Sequence, residues 1–263
     1  MMPVLFTWGD ISVRSYLVFT LVAISAAVIL IRYYEIPYLK ARGQCPPNIF
    51  KYNGEALLLA IIFTIIGARL GYVITNWSLY SANPINILAL WRGGFAFHGA
   101  LIASLPAAAL HAYYRRMPLG KLLDLSIPYI VLAYGIGRLG CFLNGCCYGQ
   151  VTALPWGMVY PAVDSFVRHP TQLYAFSAAL IIFLVLLNIN RKNISRYVTP
   201  GGLTFAWFLI LHGSYRFMVE FFRVSEDLIG PVTPAQVVSF VLILGGTVFL
   251  WIWKNRIGGD IHD

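Results

Sequence analysis

The segment Pro170–Asn190 reads PTQLYAFSAALIIFLVLLNIN and contains no Asp, Glu, Lys or Arg before it meets Arg191-Lys192. In a helix rising 1.5 Å per residue such a run reaches about 31 Å, the thickness of a bilayer's hydrocarbon core. It does not alternate apolar with polar residues, so a barrel strand is a poor reading. Working outward, Ser15–Ile31 and Val232–Trp253 are equally free of charge. Four further apolar stretches carry embedded polar groups. The pattern predicts an all-α integral membrane protein with seven transmembrane helices, spanning approximately 14–34, 56–75, 95–114, 122–142, 170–190, 201–222 and 233–253. No repeat or linker interrupts them, so residues 1–263 are expected to form a single polytopic membrane domain.

Composition supports this. The 263 residues are 59% hydrophobic and 11% charged, against roughly a quarter charged in a soluble domain, and mean hydropathy is +0.72. Too little polar surface exists to cover a soluble core of this size. That excludes an ordinary cytosolic enzyme, a disordered chain and a disulfide scaffold. The net charge of +9 could suggest nucleic acid, but the positions of the charges argue otherwise. Of the 19 basic residues, twelve follow spans one, three, five and seven, four lie on the opposite side, and Arg69, Arg138 and Arg216 lie within spans. By the positive-inside rule the N-terminus is outside and the C-terminus cytoplasmic. The basic excess is topological, and nucleic acid is not an expected partner. The first span has Asp10 and Arg14 before it and its basic cluster after it, which predicts a retained anchor.

Ionisable residues inside a bilayer are costly and mark function. With this topology Arg69, His98, Arg138, His169, Arg216, Glu220 and Arg223 all fall near the outer ends of five different spans. His212, Arg216, Glu220 and Arg223 recur at i, i+4, i+8 and i+11, a single helical stripe. One reading is an internal ion-pair ladder. Four arginines nevertheless outnumber Glu220, and surplus guanidinium in a low-dielectric site favours an anion with phosphate geometry. Glycines flank these positions: Gly67 and Gly71 around Arg69, Gly93, Gly94 and Gly99 around His98, and Gly137 and Gly140 around Arg138. They allow close helix approach or backbone close to a ligand. Asp124, at the other end of span four, is expected to cap its own helix.

In order along the chain stand Gly67-Ala-Arg69-Leu-Gly71-Tyr72, Trp91-Arg-Gly-Gly94 with Phe97-His98-Gly99, Gly137-Arg138-Leu-Gly140-Cys-Phe-Leu-Asn144-Gly145, Arg168-His169-Pro170-Thr171-Gln172-Leu173-Tyr174 and Arg216-Phe-Met-Val-Glu220-Phe-Phe-Arg223. This ordered set resembles the prolipoprotein diacylglyceryl transferases of bacterial membranes. The resemblance implies a multi-pass enzyme of the bacterial cytoplasmic (inner) membrane whose site faces the outer leaflet. It implies transfer of a diacylglyceryl group from phosphatidylglycerol to the lipobox cysteine in the signal peptide of a preprolipoprotein, forming a thioether and releasing glycerol phosphate. On the matching positions His98, Arg138 and Arg216 are the catalytic candidates. Arg69, Asn144, Gln172, Tyr174, Glu220 and Arg223 are candidates for substrate binding. Expected partners are phosphatidylglycerol, the signal peptides and the surrounding membrane lipids. The implied chemistry uses no cofactor and no metal.

The chain departs from the family pattern at Cys141, where an asparagine is usual, at Cys146, where a glutamate is usual, and at Ala175, also a glutamate. Cys141, Cys146 and Cys147 lie together on the predicted outer side, where disulfides persist. A Cys141 staple to either neighbour and three reduced thiols filling apolar space are both open readings. Two alternative functions remain at this level. One is a phospholipid-binding or transport protein of the same fold, and the other a membrane thiol–disulfide protein.

Overall fold

A computed structural model describes residues 2–8, 11–41, 49–81, 83–89, 94, 96–116, 118–193, 201–224 and 232–259; inside these stretches the description of Arg14, His98 and Arg256, among others, is confined to the backbone. Trp91, Arg92, Gly93 and Cys45 lie outside the described residues. The chain divides into two compact units, residues 1–44 with 123–263, and residues 45–122.

The larger unit opens with β1 (Val4–Trp8) paired antiparallel to β2 (Ile11–Arg14), Phe6 opposite Val13 and Trp8 opposite Ile11. Helix α1 (Ser15–Leu30) follows, passes through a π-helical turn at Ile31–Glu35, and continues as α2 (Ile36–Ala41). Helix α6 (Leu119–Asn144) lies in this unit from Leu123 onward. It is joined there by α7 (Thr171–Asn193), α8 (Leu203–Glu220) and α9 (Pro234–Gly259). Ile127 and Val131 of α6 pack on Ala179, Ile182 and Leu186 of α7, with Phe205, Phe208 and Leu211 of α8 against them. Leu186 is fully buried, whereas Val241 and Trp251 of α9 are 60% and 66% exposed. Large apolar side chains left outside on this scale suit a lipid surround, since water would penalise so much apolar area.

The smaller unit consists of α3 (Ile49–Thr75), α4 (Trp77–Ser81), a 3-10 turn at Pro84–Leu88 and α5 (Phe97–Tyr114). Helices α3 and α5 meet backbone to backbone. A Cβ added to Gly99 would lie 2.2 Å from the Gly67 carbonyl oxygen, and one on Gly67 would lie 2.4 Å from the Gly99 oxygen. Only glycine permits this crossing. At the other end of the pair Glu55 takes Arg115 at 2.9 Å and His111 at 3.5 Å.

Among the described residues, five helical stretches are long and apolar enough to cross a bilayer: 15–41, 54–75, 119–144, 171–192 and 234–255. The chain is therefore a mostly helical, multi-pass membrane protein. Helices α5 and α8 stand where the third and sixth spans were expected, but each has 18 residues, about 27 Å at 1.5 Å per residue. Helix α8 also carries Arg216 and Glu220.

Two features differ from the sequence reading. The connections contain two small sheets, β1–β2 and a second pair, β3 (Met158–Val159) with β4 (Val167–Arg168). Asp124 does not cap its own helix. It lies inside α6, where its carboxylate accepts from the N–H groups of Gly202 at 2.7 Å and Phe205 at 2.9 Å. It thus caps α8, whose first N–H groups would otherwise lack partners.

Candidate active site

The stripe predicted on the sixth span lies on α8 as far as Glu220, with Arg223 just beyond the helix end, and Arg216, Glu220 and Arg223 form an ion triad. Glu220 is 7% exposed. Its Oε2 accepts from Nη1 of Arg216 and lies 3.6 Å from Nε of Arg223. The two arginine side chains are about one-quarter exposed, 26% and 25%. One buried carboxylate therefore holds two guanidiniums that keep an open side.

Arg138 reaches the same place from α6. Its guanidinium lies over the Tyr134 ring, 4.7 Å from the centroid, an i, i+4 cation–π pair. The Tyr134 ring meets His212 edge-on at 5.4 Å. His212 stacks on Phe208 at 5.3 Å and lies 5.9 Å from Tyr215. Arg138 and Arg216 are both within electrostatic reach of His212 and of Tyr215. Arg138 on α6 thus stands near the end of α8, where Glu220 pairs with Arg216 and Arg223. Tyr16, from the start of α1, is within electrostatic reach of Arg138. It gets there because α1 packs on Gly140, where a Cβ would be 3.3 Å from the Tyr16 Cα.

The stretch after α6 is cross-braced onto this cluster. Gly149 N–H donates to the His169 carbonyl at 2.9 Å, and Gln150 N–H to Phe222 at 2.8 Å. Gln150 Nε2 donates to the Arg223 carbonyl at 3.0 Å. Gln172, 1% exposed, donates to the Cys146 carbonyl at 2.6 Å and accepts from Tyr160 at 2.9 Å. Burial pushes the Tyr160 hydroxyl up to about 12, so it stays protonated and donates. Tyr174 accepts from Trp156 Nε1 at 2.8 Å and lies 3.1 Å from His169 Nδ1. Asn144 is the last residue of α6, half-buried, and among the described residues its amide makes no hydrogen bond.

Cys141, Cys146 and Cys147 are all free thiols, with no disulfide among the described residues. Hydrogen bonds from Cys141 and Cys146, with Arg138 and Arg223 behind them, hold the Cys147 thiol well below the ordinary thiol range.

Arg69 belongs to the smaller unit and is 4% exposed. Its Nε donates to the Ile87 carbonyl at 2.9 Å, Nη2 to Asn86 at 2.7 Å and Nη1 to Gly94 at 3.1 Å. Its guanidinium also lies 5.2 Å from the Tyr80 ring centroid. One planar fork therefore ties the approach to α5 onto α3. Gly94 has φ +81°, and a Cβ there would be 2.9 Å from Arg69 Nη1, so a side chain would displace the fork. His98 is the second residue of α5, described by its backbone.

Guanidiniums gathered at a helix end are donors suited to an anion of phosphate geometry. The model of the family described as prolipoprotein diacylglyceryl transferase matches residues 3–252. The chain belongs to that family. A phosphatidylglycerol–prolipoprotein diacylglyceryl transferase of Geobacter sulfurreducens is 32% identical over 264 residues, covering 97% of each chain. Relatives of the same name from Aeromonas hydrophila and Cupriavidus necator are 31% and 34% identical. They cover 97% and 84% of this chain, and 91% and 81% of their own lengths.

Of the residues matched to the family motifs, the larger unit brings together Arg138, Arg216, Glu220 and Arg223, with Gln172 and Tyr174 in the bracing beside them. Tyr16 and Tyr215 were not among the site candidates read from the sequence. Tyr215 carried a signal, three residues after His212 and beside Arg216. Tyr16 carried none, since its place depends on how α1 packs against Gly140.

Proposed function

We propose that this chain transfers the diacylglyceryl group of phosphatidylglycerol to the cysteine of a prolipoprotein. The observation that carries the reading is the partly exposed pair of guanidiniums, Arg216 and Arg223, held by Glu220, with the Arg138 guanidinium close by. The cysteine thiol gives up its proton, and its sulfur attacks the glycerol carbon that bears the phosphate. A carbon–sulfur bond forms, the carbon–oxygen bond breaks, and glycerol phosphate leaves with the bonding electrons. Charge grows on the departing phosphate, where guanidiniums already in position are worth most. Arg138 and Arg216 are the donors assigned to it, with Arg223 as a further headgroup contact. Glu220 holds Arg216 and Arg223 in place, and the unpartnered amide of Asn144 is suited to a glycerol hydroxyl. Gln172 and Tyr174 act through the bracing they build.

His98 is assigned the proton of the incoming thiol, because a neutral imidazole suits that step at ordinary pH. Arg69 is read as serving the headgroup indirectly, by holding the backbone that leads into the helix His98 begins.

We further read the chain as one polytopic domain of seven spans in the bacterial inner membrane, N-terminus outside, with the site facing the outer leaflet and open to signal peptides. The alternation of basic residues supports this topology. A reporter after Asp263 should read cytoplasmic and one near Asn83 external, and the opposite result at either position refutes it. For the reaction, the protein in nanodiscs containing radiolabelled phosphatidylglycerol is mixed with a lipobox peptide. The expected products are thioether-linked lipopeptide and glycerol phosphate in equal amounts. Unmodified peptide with lipid bound would favour a binding protein instead.

A further inference from the structure

The three thiols near Arg138 take no part in the transfer chemistry, yet the fold gathers them. We propose that Cys141, Cys146 and Cys147 form a trigonal thiolate site for a thiophilic monovalent cation, Cu(I). Their Sγ atoms all lie within 4.8 Å of one another. A metal at about 2.3 Å from each of three sulfurs needs them about 4 Å apart, a small adjustment from that grouping.

The backbone is shaped to present them. Cys146 N–H donates to the Cys141 carbonyl at 3.1 Å, which folds the chain back over the end of α6. Cys147 then adopts φ +65°, a left-handed conformation unfavourable for a residue with a Cβ. Two buried side chains fix the turn. Gln172 donates to the Cys146 carbonyl and Thr171, 2% exposed, to the Cys147 carbonyl, each at 2.6 Å. Chance proximity of sulfurs would not require a strained turn clamped from two sides.

Coordination number and charge select the ion. Among the described residues no histidine or carboxylate joins the three sulfurs, so the tetrahedral set that zinc favours is incomplete. Soft thiolates in a three-coordinate arrangement suit Cu(I). Three thiolates and one monovalent ion carry two negative charges, and two guanidiniums, Arg138 and Arg223, are within electrostatic reach of Cys147. Binding forms copper–sulfur bonds, releases the thiol protons to solvent and transfers no electron. The site shares Arg138 and Arg223 with the proposed headgroup site, but its test does not depend on the transferase reading.

The full chain carrying Cys45→Ser, which removes the fourth cysteine, is reduced in nanodiscs without oxygen and titrated with Cu(I) against a chromogenic Cu(I) chelator. One ion per chain is expected, with three sulfur neighbours by X-ray absorption. Cys147→Ser and Cys146→Ser, both outside the helix, should each weaken binding about 100-fold or more, on the scale of losing ligand support. Circular dichroism and thermal unfolding check that these variants keep the fold, and Cys141→Ala is read only if it does. Stoichiometric binding that survives removal of all three cysteines overturns the site. So does a reduced protein that binds no more copper than that triple variant.

Discussion

Helix α8 carries a polar cluster at each end, and the two are built differently. At its N-terminal end Thr204 joins a closed network. Glu35 is fully buried and accepts from Tyr129 at 2.6 Å and from Asn190 at 3.4 Å, and Asn190 Oδ1 faces Thr204 Oγ1 at 3.5 Å. At its C-terminal end Glu220 pairs with both Arg216 and Arg223, Arg138 stands nearby on α6, and donors exceed acceptors. The first cluster matches a single carboxylate to the Tyr129 hydroxyl and the Asn190 amide, with Arg191 within electrostatic reach of Tyr129, and is sealed from solvent. The second sets two guanidiniums on one carboxylate, with the Arg138 guanidinium nearby and an open side. In a low-dielectric interior a satisfied network locks helices together, whereas surplus donors call for a ligand. Both ends hold a buried glutamate, so burial alone does not distinguish structure from chemistry. The count of donors against acceptors does.

The largest effect is expected where the open cluster is cut. Arg138→Ala removes a donor with no ion-pair partner among the described residues, so transfer should fall about 10²- to 10³-fold, the scale of a lost charge-stabilising donor. The protein should still accumulate in the membrane, since its Tyr134 contact is the main structural loss. Arg138→Lys keeps the charge without the planar fork and should recover only part of the activity. Full activity in Arg138→Lys, measured by lipopeptide formation, would make the cluster a structural ladder like its counterpart.

Cutting the closed cluster should give the converse result. Glu35→Ala leaves the Tyr129 hydroxyl and the Asn190 amide buried without their acceptor, at a cost of about 1–3 kcal/mol each way the penalty is taken. Thermal unfolding should register it, while transfer per folded molecule stays near wild type. A loss of transfer without a loss of stability would place Glu35 in the chemistry and erase the contrast between the two ends.

The open end was the more legible of the two in the sequence, for a physical reason. Arg216 and Glu220 are one turn apart on one helix, Arg223 follows three residues later just past its end, and helical spacing already suggested a single stripe. Glu35 follows Tyr33-Tyr34 and a basic residue, which reads as an interfacial helix end. Its partners are 94 and 155 residues away, and no local pattern encodes such a separation. The long apolar runs were equally legible. The helix expected at 170–190 is α7, Thr171–Asn193, and that expected at 201–222 is α8, Leu203–Glu220. The end of the first span was not, because α1 does not stop near residue 34 but runs through a π turn into α2. The cysteines were half legible. Cys141 and Cys146 are close in any short turn, but the third sulfur joins them through a left-handed Cys147, a conformation expected of glycine rather than cysteine.

Glu220→Gln probes the boundary between the two kinds of cluster. It keeps the shape and an acceptor oxygen but removes the charge that balances Arg216 and Arg223. The arginines then lose their anchor while the site becomes more positive. Transfer should fall by roughly tenfold, less than for loss of a direct donor, and mostly through kcat, because an anionic headgroup is still attracted. A rise in KM with kcat unchanged would mean instead that Glu220 binds substrate and does not position the arginines.

The smallest effect is expected from Thr204→Val, at the edge of the closed network. Valine fills the same volume and lacks only the hydroxyl. The Thr204–Asn190 contact is 3.5 Å long, at the limit where a hydrogen bond retains value, so its loss should cost less than about 1 kcal/mol of stability. Asn190 keeps its Glu35 contact in this variant, so the rest of the network need not rearrange. A double-mutant cycle pairing Thr204→Val with Glu35→Ala measures the coupling between the two positions. If the network behaves as a unit, the combined loss falls short of the sum of the separate losses, because the second cut removes something already weakened. Strict additivity would show that Thr204 only packs there, and the closed cluster would shrink to Glu35, Tyr129 and Asn190.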